Sequence, residues 1–373
     1  MNLTNVRSNL HVAGSGGGNT SRLVGLDFLR IALALLVFLF HSHIHVLKCD
    51  YGWLNAFVDM GAIAMTGFFL LSGYVLEYTS GKKNMTEVQE IKVFYIKRLI
   101  SIFPLYYAYA IINVATNILL GGKNVAIQEV MLFPIEALGI QSSISGLTQF
   151  SHNGGSWFIS CILICYIVYP LIHVVSRTLS ISAKVCLIVL LASILLWSPI
   201  VQHFFKLDWI YSNPFMRILE FAIGILLLQL NTSNVDDKFL DLLRTPAACI
   251  ATIMLLVVGV SIAYHIGVPH DYMLYSWIAL PCFVSLLFSL GSIKFVSFQN
   301  SKVVRYLSAL SFSIFLSQLI VVWKGLKHIF LYLGVDNNLL NILVSAMVCF
   351  CMANFLHYCV EKPCARYLNE KLL

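Results

Sequence analysis

The chain has 373 residues, of which 59% are hydrophobic and 11% are charged, and its mean hydropathy is +0.84. A composition this apolar excludes an ordinary soluble enzyme and predicts an all-α fold, a polytopic bundle of membrane-spanning helices. The net charge of +7 does not indicate nucleic-acid binding, because the basic residues sit between apolar segments, where they set membrane orientation.

The N-terminal segment, residues 1–22, is polar and rich in Gly, Ser and Asn, so we expect a disordered tail. A membrane domain is predicted over residues 23–365, followed by a short cytoplasmic tail over residues 366–373. We expect no cleavable signal peptide, because the first apolar run is too long for one and contains Arg30.

Apolar runs near twenty residues long predict about ten membrane spans. Their approximate bounds are 23–46, 57–79, 95–119, 156–177, 183–203, 214–230, 246–265, 272–290, 306–323 and 338–360. Segment 129–140 is too short to span and contains Pro134, so an interfacial or re-entrant piece is expected there. Most Lys and Arg residues outside the spans fall on one side when the N-terminus is placed inside, which predicts that both termini are cytoplasmic.

Two ionisable residues of the first span are predicted to share one helix face. Arg30 and His41 are eleven residues apart, which places them in the same direction and about 16 Å apart along a helix. In the predicted orientation, Arg30 is in the inner half of the helix and His41 is near its outer end. Such residues at bilayer depth are costly and usually functional. Asp27 precedes Arg30 by three residues, so the two side chains are placed to pair. A simple ion pair at the membrane edge is the alternative interpretation of this spacing.

His41 is interpreted as a general base, since the usual imidazole pKa of about 6.5 suits that role at neutral pH. His41 and His45 have an i, i+4 spacing that is compatible with metal binding. No carboxylate or third ligand follows nearby, so no metal site is expected.

Several later motifs have both a structural and a functional interpretation. Small residues around Ser72 and Gly73 allow close helix contact, and the same groups are candidates for oxyanion contacts. Lys97 and Arg98 lie at the opening of the third span as topology signals and are placed to meet an anionic ligand from the cytoplasm.

Three further residues are singled out near the predicted outer side, and one motif at the end of the last span. Trp157 is an expected interfacial anchor that is also placed to stack on a sugar. Arg217 and Glu220, three residues apart, are expected to pair near the outer surface. At the end of the last span, Pro363 is expected to stop the helix.

The motifs as a series resemble a known family. In chain order they are LVGLDFLRIALALLVFLFH, GFFLLSGYVL, FYIKRLISIFPLYY, SWFISCILICYIVYPLI, RILEFAIGIL, SFSIFLSQ and VEKP. They resemble the acyltransferase 3 family of integral-membrane bacterial acyltransferases over about residues 23–365. Arg30 and His41 match its R-x10-H signature, and Arg98 matches the first Arg of its R-x-x-R motif.

The resemblance implies an O-acetyltransferase of the bacterial inner membrane. Members transfer acyl groups, most often acetyl, from acetyl-CoA to sugar hydroxyls of surface glycans such as the O-antigen of lipopolysaccharide. The implied partners are acyl-CoA as donor substrate, a surface or lipid-linked glycan as acceptor, and membrane lipids. No bound cofactor is implied.

The residues assigned to this activity fall into three groups. The catalytic group is His41, Arg30 and Asp27. The donor-binding group is Arg98, Lys97, Ser72, Gly73 and Phe69. The acceptor-binding group is Trp157, Arg217 and Glu220. Three positions depart from the family pattern: Ser101 replaces the second Arg of R-x-x-R, Ile162 replaces a common Glu, and Gln318 replaces a usual His.

Two other hypotheses stay open on the sequence. A transporter or exporter would explain intramembrane Arg, Glu and His residues, although the inverted repeats and broken helices expected of one are not apparent. A catalytically silent relative with a role in assembly is suggested by Ser101 and Gln318.

Overall fold

A computed structural model describes residues 22–46, 49–143, 155–206, 210–233, 237–266, 272–320 and 325–373. Over these ranges the chain forms helices and no strand, which confirms the prediction of an all-α polytopic bundle. The predicted disordered tail lies, apart from Arg22, outside the described residues.

The longer helices are labelled in chain order. They are α1 (Val24–His45), α2 (Ala64–Ser80), α3 (Val88–Leu138), α4 (Trp157–Thr178), α5 (Ile181–Phe205), α6 (Pro214–Asn231), α7 (Pro246–His265), α8 (Tyr272–Ser292), α9 (Lys302–Ile320), α10 (Asn338–Leu356) and α11 (Lys362–Leu372). Short helices cover Asn55–Val58, Lys238–Leu243 and Lys327–Leu333. Single 3-10 turns cover Gly52–Leu54, Gly61–Ile63, Gln141–Ser143 and Val296–Phe298.

The predicted spans correspond to these helices. Within the described ranges, eight helical segments are long and apolar enough to cross a membrane: Val24–His45, Gly61–Ser80, Val88–Leu119, Trp157–Thr178, Ile181–Phe205, Pro214–Asn231, Pro246–His265 and Asn338–Leu372. The other two predicted spans, 272–290 and 306–323, coincide with α8 and α9 as far as they are described. The chain is therefore a multi-pass membrane protein.

Helix α3 turns back on itself. The Tyr106 hydroxyl donates to the backbone carbonyl of Glu136, and the Tyr107 hydroxyl donates to that of Ala137 at 2.8 Å. A straight helix would hold residues thirty positions apart about 45 Å from each other. The second part of α3, which contains Pro134, therefore folds back along the first, as expected of a re-entrant piece rather than of a span.

Helices α2 and α6 touch through glycines. A Cβ atom built on Gly73 would lie 2.0 Å from the Phe221 carbonyl oxygen, and one on Gly224 would lie 2.0 Å from that of Leu70. Neither position accepts a side chain without moving a backbone. The small residues of the second span thus serve close helix packing, and Gly73 faces α6.

Helices α1 and α9 run side by side in the same direction. Near the start of each, Arg30 Nη1 donates to Ser308 Oγ at 3.4 Å. Near their ends, His41 Nδ1 lies 3.0 Å from Gln318 Oε1. Eleven residues on α1 thus match ten on α9, so α9 crosses the membrane beside α1. This direction is the one expected for the first and ninth of ten successive spans.

The C-terminal region differs from its prediction. A π-helical turn, His357–Glu361, joins α10 to α11, and Pro363 lies in the first turn of α11. Proline is tolerated there because the first helical N–H groups have no intrahelical acceptor. The expectation that Pro363 ends the helix is therefore wrong, and the predicted tail over residues 366–373 is helical to Leu372.

Candidate active site

A polar network surrounds the start of α1. The Asp27 carboxylate accepts hydrogen bonds from Arg22 Nε at 2.6 Å and from Ser308 Oγ at 2.6 Å. Arg30 donates to the same Ser308 oxygen at 3.4 Å. The expected direct hydrogen-bonded pair between Asp27 and Arg30 is not formed. Arg22 binds the Asp27 carboxylate instead, and the Ser308 hydroxyl bridges Asp27 to Arg30.

Arg30 lines a cavity of about 300 Å³ between α1, α2, α3, α4, α9 and the π-helical turn. This volume is at the lower end of the range for small-molecule sites, about 300–1,000 Å³. The polar groups of the lining come from Arg30, Ser72, Ser101, Tyr166, Ser308, Ser311 and Glu361. Its apolar wall includes Phe68, Phe158, Ile162, Phe312 and Phe315. Two of the three positions that depart from the family pattern, Ser101 and Ile162, are thus in this lining.

The cavity extends from Arg30 toward the His41 end of α1. Its lining on α9 begins at Ser308 and reaches Phe315, a rise of about 10 Å. Phe315 lies three residues, less than one turn, before Gln318, which contacts His41. The cavity therefore leads along α9 from the guanidinium toward the imidazole.

The contact with Gln318 favours one tautomer of His41. The Gln318 amide oxygen lies 3.0 Å from His41 Nδ1 and only accepts hydrogen bonds, so this contact favours the neutral ring with its proton on Nδ1. In that tautomer Nε2 carries the lone pair, as a general base requires. The third position that departs from the family pattern is therefore in direct contact with His41.

The neighbouring histidine has a different role. His43 Nδ1 lies 2.6 Å from the Cys49 carbonyl oxygen, and its Nε2 lies 3.1 Å from Asp59 Oδ1. These contacts attach the loop after α1 to the helix. Among the described residues, no group of three or more His, Cys, Asp or Glu side chains is arranged to hold a metal ion.

The donor-binding candidates separate into two sets. Ser72 lines the cavity, and the Arg98 guanidinium carbon lies 5.8 Å from the ring centre of Tyr166, which also lines it. Arg98 Nε is buried and has no hydrogen-bond partner among the described residues. Lys97 is exposed, and Gly73 faces α6, so these two do not join the cavity lining.

The acceptor-binding candidates form a closed cage. Arg217 is 1% exposed, and its Nη1 donates to both carboxylate oxygens of Glu220 at 2.9 Å. The guanidinium carbon lies 5.4 Å from the ring centres of Phe69 and Trp157 and 5.1 Å from that of Tyr211.

The cage confirms one prediction and corrects another. Arg217 and Glu220 do pair, near the start of α6, and both are buried within the protein. Trp157, 9% exposed, packs in the interior and is not an interfacial anchor. Phe69, assigned to the donor-binding set, packs against the Arg217 guanidinium. Packed this way, the cage holds α2, α4 and α6 together.

One buried cluster was not predicted from the sequence. Glu77 is 3% exposed and accepts hydrogen bonds from Tyr169 at 3.0 Å and Gln229 at 3.1 Å. Its carboxylate also lies 2.8 Å from His173 Nδ1 and 3.5 Å from Arg177 Nε. A lone Glu within an apolar span was the available signal, since such a charge requires partners. The cluster ties α2, α4 and α6 together at the end away from the Arg217 cage.

A second unpredicted group borders the cavity. Glu361, in the cavity lining, lies 2.6 Å from His357 Nδ1 and accepts a hydrogen bond from Ser313 at 3.3 Å. Both Glu361 and His357 are in the π-helical turn, a feature that is frequent at functional sites. The VEKP motif contains Glu361, but the proline was interpreted only as a helix stop.

Comparison with known proteins gives one match. The model of the acyltransferase 3 family, described as an acyltransferase domain, matches residues 23–356. No curated protein and no solved structure matches the chain. The matched range includes α1, the cavity-lining residues of α9 and the contact between His41 and Gln318.

Proposed function

This chain belongs to the acyltransferase 3 family and is a membrane acyltransferase, and we propose that it transfers an acyl group from acyl-CoA to a sugar hydroxyl of a glycan. The proposed acyl group is acetyl. The acceptor is a cell-surface polysaccharide or a lipid-linked glycan, such as O-antigen of lipopolysaccharide. The proposed location is the bacterial inner membrane, with both termini in the cytoplasm.

One observation carries the proposal. Arg30 and His41 are eleven residues apart on α1, and each contacts α9. A cavity begins at Arg30 and leads along α9 toward the contact with His41. A guanidinium that can bind an anion and an imidazole that can move a proton, with a cavity that leads from the first toward the second, are the groups that a CoA-dependent acyl transfer requires.

In this proposal the donor extends along the cavity. Arg98 and Lys97 receive the nucleotide end of CoA, and Arg30 binds its pyrophosphate, held in place by Asp27 through Ser308. The pantetheine arm then follows the cavity, whose serine hydroxyls suit its two amides and whose Phe side chains suit its methyl and methylene groups. The thioester is thereby brought to His41.

The chemistry at His41 is general base catalysis followed by general acid catalysis. His41 Nε2 takes the proton of the sugar hydroxyl while the sugar oxygen forms a bond to the thioester carbon. The carbonyl oxygen becomes an oxyanion. When the C–S bond breaks, the carbonyl reforms, and the sulfur of CoA leaves with the proton from His41.

The test is substitution of His41 in protein reconstituted in lipid with acetyl-CoA and a lipid-linked glycan. His41→Ala is expected to lower transfer by about 10²- to 10⁴-fold, the usual contribution of a general acid–base group. Mass spectrometry of the glycan measures the acetyl group gained. His265→Ala, at the exposed end of α7, is the matched control and should keep the wild-type rate.

Two outcomes would contradict the proposal. Unchanged transfer by His41→Ala would remove the general-base role. A wild-type protein that moves a substrate across the membrane, with no acetyl group transferred to any glycan, would support the transporter hypothesis instead.

A further inference from the structure

Within the described residues, the side-chain amide of Gln318 has a hydrogen-bond partner for its oxygen and none for its nitrogen. The residue is fully buried, at 0% exposure, and its Oε1 lies 3.0 Å from His41 Nδ1. Its Nε2, also buried, has no hydrogen-bond partner among the described residues. A buried polar group without a partner is costly to the folded state, so an unpartnered donor beside a candidate base requires an explanation.

A second unpartnered polar atom lies close to the same level. Helix α10 runs antiparallel to α9, because Tyr306 near the start of α9 donates to Asn354 near the end of α10. Counting from that contact, Ser345 on α10 lies within about one helical turn of the level of Gln318. Ser345 is 0% exposed, and its Oγ has no partner within the described part of the chain. Gln318 and Ser345 thus place two unpartnered polar atoms at nearly the same level of α9 and α10.

We propose that Gln318 is a catalytic residue, whose amide oxygen holds His41 and whose amide nitrogen donates a hydrogen bond to the oxyanion of acyl transfer. This inference rests on the proposed acyl transfer. The amide is planar, so the bond from His41 to Oε1 also fixes the direction of the two Nε2–H bonds. A donor oriented in advance is what stabilises an oxyanion, and Gln is among the side chains that do so.

The role can be followed through the reaction. The sugar oxygen adds to the thioester carbon, its proton moves to His41 Nε2, and the electron pair of the C=O bond moves to oxygen. Gln318 Nε2–H donates to that oxygen. When the C–S bond breaks, the carbonyl reforms, the hydrogen bond weakens, and the CoA thiol leaves with the proton. Removal of one such donor commonly lowers kcat by about 10²- to 10³-fold.

The experiment separates this role from mere positioning of His41. Hydroxylamine is offered in place of the sugar, with acetyl-CoA as donor, and acetohydroxamate is measured above the background without protein. Because hydroxylamine attacks a thioester without a general base, a residue that only positions His41 should matter little with this acceptor, and His265→Ala, at the exposed end of α7, is the control that should keep the wild-type rate. The attack still produces an oxyanion, so Gln318→Met should lose about 10²- to 10³-fold with this acceptor as well as with the sugar.

A second variant keeps the test decisive if Gln318→Met does not fold. Gln318→Glu retains an acceptor for His41 Nδ1 but replaces the donor nitrogen with oxygen, so it too should form hydroxamate slowly. Folding is checked by size-exclusion elution and thermal unfolding. Hydroxamate formation at the wild-type rate by either folded variant would overturn the oxyanion role and leave Gln318 as a positioning residue. A wild-type protein that acylates neither acceptor from acetyl-CoA would instead overturn the proposed function.

Discussion

Arg30 and Arg217 both lie within membrane-spanning helices, and their surroundings differ. Arg217 is 1% exposed, donates to both oxygens of Glu220, donates to the Tyr211 carbonyl and is surrounded by aromatic rings. Arg30 makes one hydrogen bond of 3.4 Å, to Ser308, within the described residues, and it borders a cavity.

The difference indicates which intramembrane charge is structural. A buried guanidinium whose donors are matched by a carboxylate and a carbonyl fixes the packing of its neighbours. A guanidinium with one long hydrogen bond beside a cavity keeps donors for a ligand, as expected of ionisable residues in a membrane path. The same residue type thus has two kinds of surroundings, which the local contacts separate and sequence position does not.

The largest expected effect is on stability, at Arg217. Arg217→Met leaves the buried Glu220 carboxylate without its cation, and loss of one partner of a buried pair costs about 3–5 kcal/mol. We expect a large fall in the thermal unfolding temperature and in the yield of monodisperse protein after detergent extraction.

The control is the double variant Arg217→Met with Glu220→Leu. It removes both charges, so much of the lost stability should return, since apolar replacement of a buried pair is often neutral. If Arg217→Met instead stays as stable as wild type but fails only in acyl transfer, the comparison fails and Arg217 belongs to the active site.

The next effect is on activity, at Arg30. Arg30→Lys keeps the charge but loses the planar fork that binds phosphate in two places. Loss of charge-assisted hydrogen bonds of this kind should weaken use of acetyl-CoA by about 10- to 100-fold, measured as kcat/KM for the donor. The unfolding temperature should stay near that of wild type. Wild-type kcat/KM would reduce Arg30 to a point charge, and loss of the folded protein would make it a structural residue like Arg217.

The smallest effect is expected at Ser308, which bridges Asp27 to Arg30. Ser308→Ala removes the bridge but neither charge, and a hydrogen bond of this kind contributes about 1 kcal/mol, or about fivefold in KM for acetyl-CoA. Ser193→Ala on α5, whose hydroxyl bonds only its own helix, is the matched control. An unchanged KM would mean that Arg30 is positioned without Asp27.

Periodicity and hydropathy predicted the main features of the fold and one face of the site. An apolar run with Arg30 and His41 eleven residues apart determines their common face whatever the neighbouring helices are. Runs of apolar residues likewise predicted the spans, because a bilayer requires a helix of nearly fixed length.

Contacts between distant segments were beyond such reasoning. Nothing near Asp27 indicates that Ser308 will bridge it to Arg30, or that Arg22, assigned to a disordered tail, will bind its carboxylate. Gln318 appeared only as a departure from a family pattern, and its bond to His41 exists because α9 packs beside α1. The three-residue spacing of opposite charges correctly predicted the pair of Arg217 and Glu220. It did not predict that Ser308 bridges Asp27 to Arg30.

The side-by-side course of α1 and α9 has a consequence for which donors the enzyme accepts. Arg30 and His41 are on one continuous helix, so their separation of about 16 Å along its axis does not adjust to the substrate. Acetyl phosphate, whose phosphate adjoins its acyl carbon, cannot reach both groups at once, and acetyl-pantetheine without phosphate engages the imidazole alone. On the proposed mechanism, the length of the donor between phosphate and thioester selects CoA as the carrier. The size of the acyl group is discriminated separately, beside the imidazole.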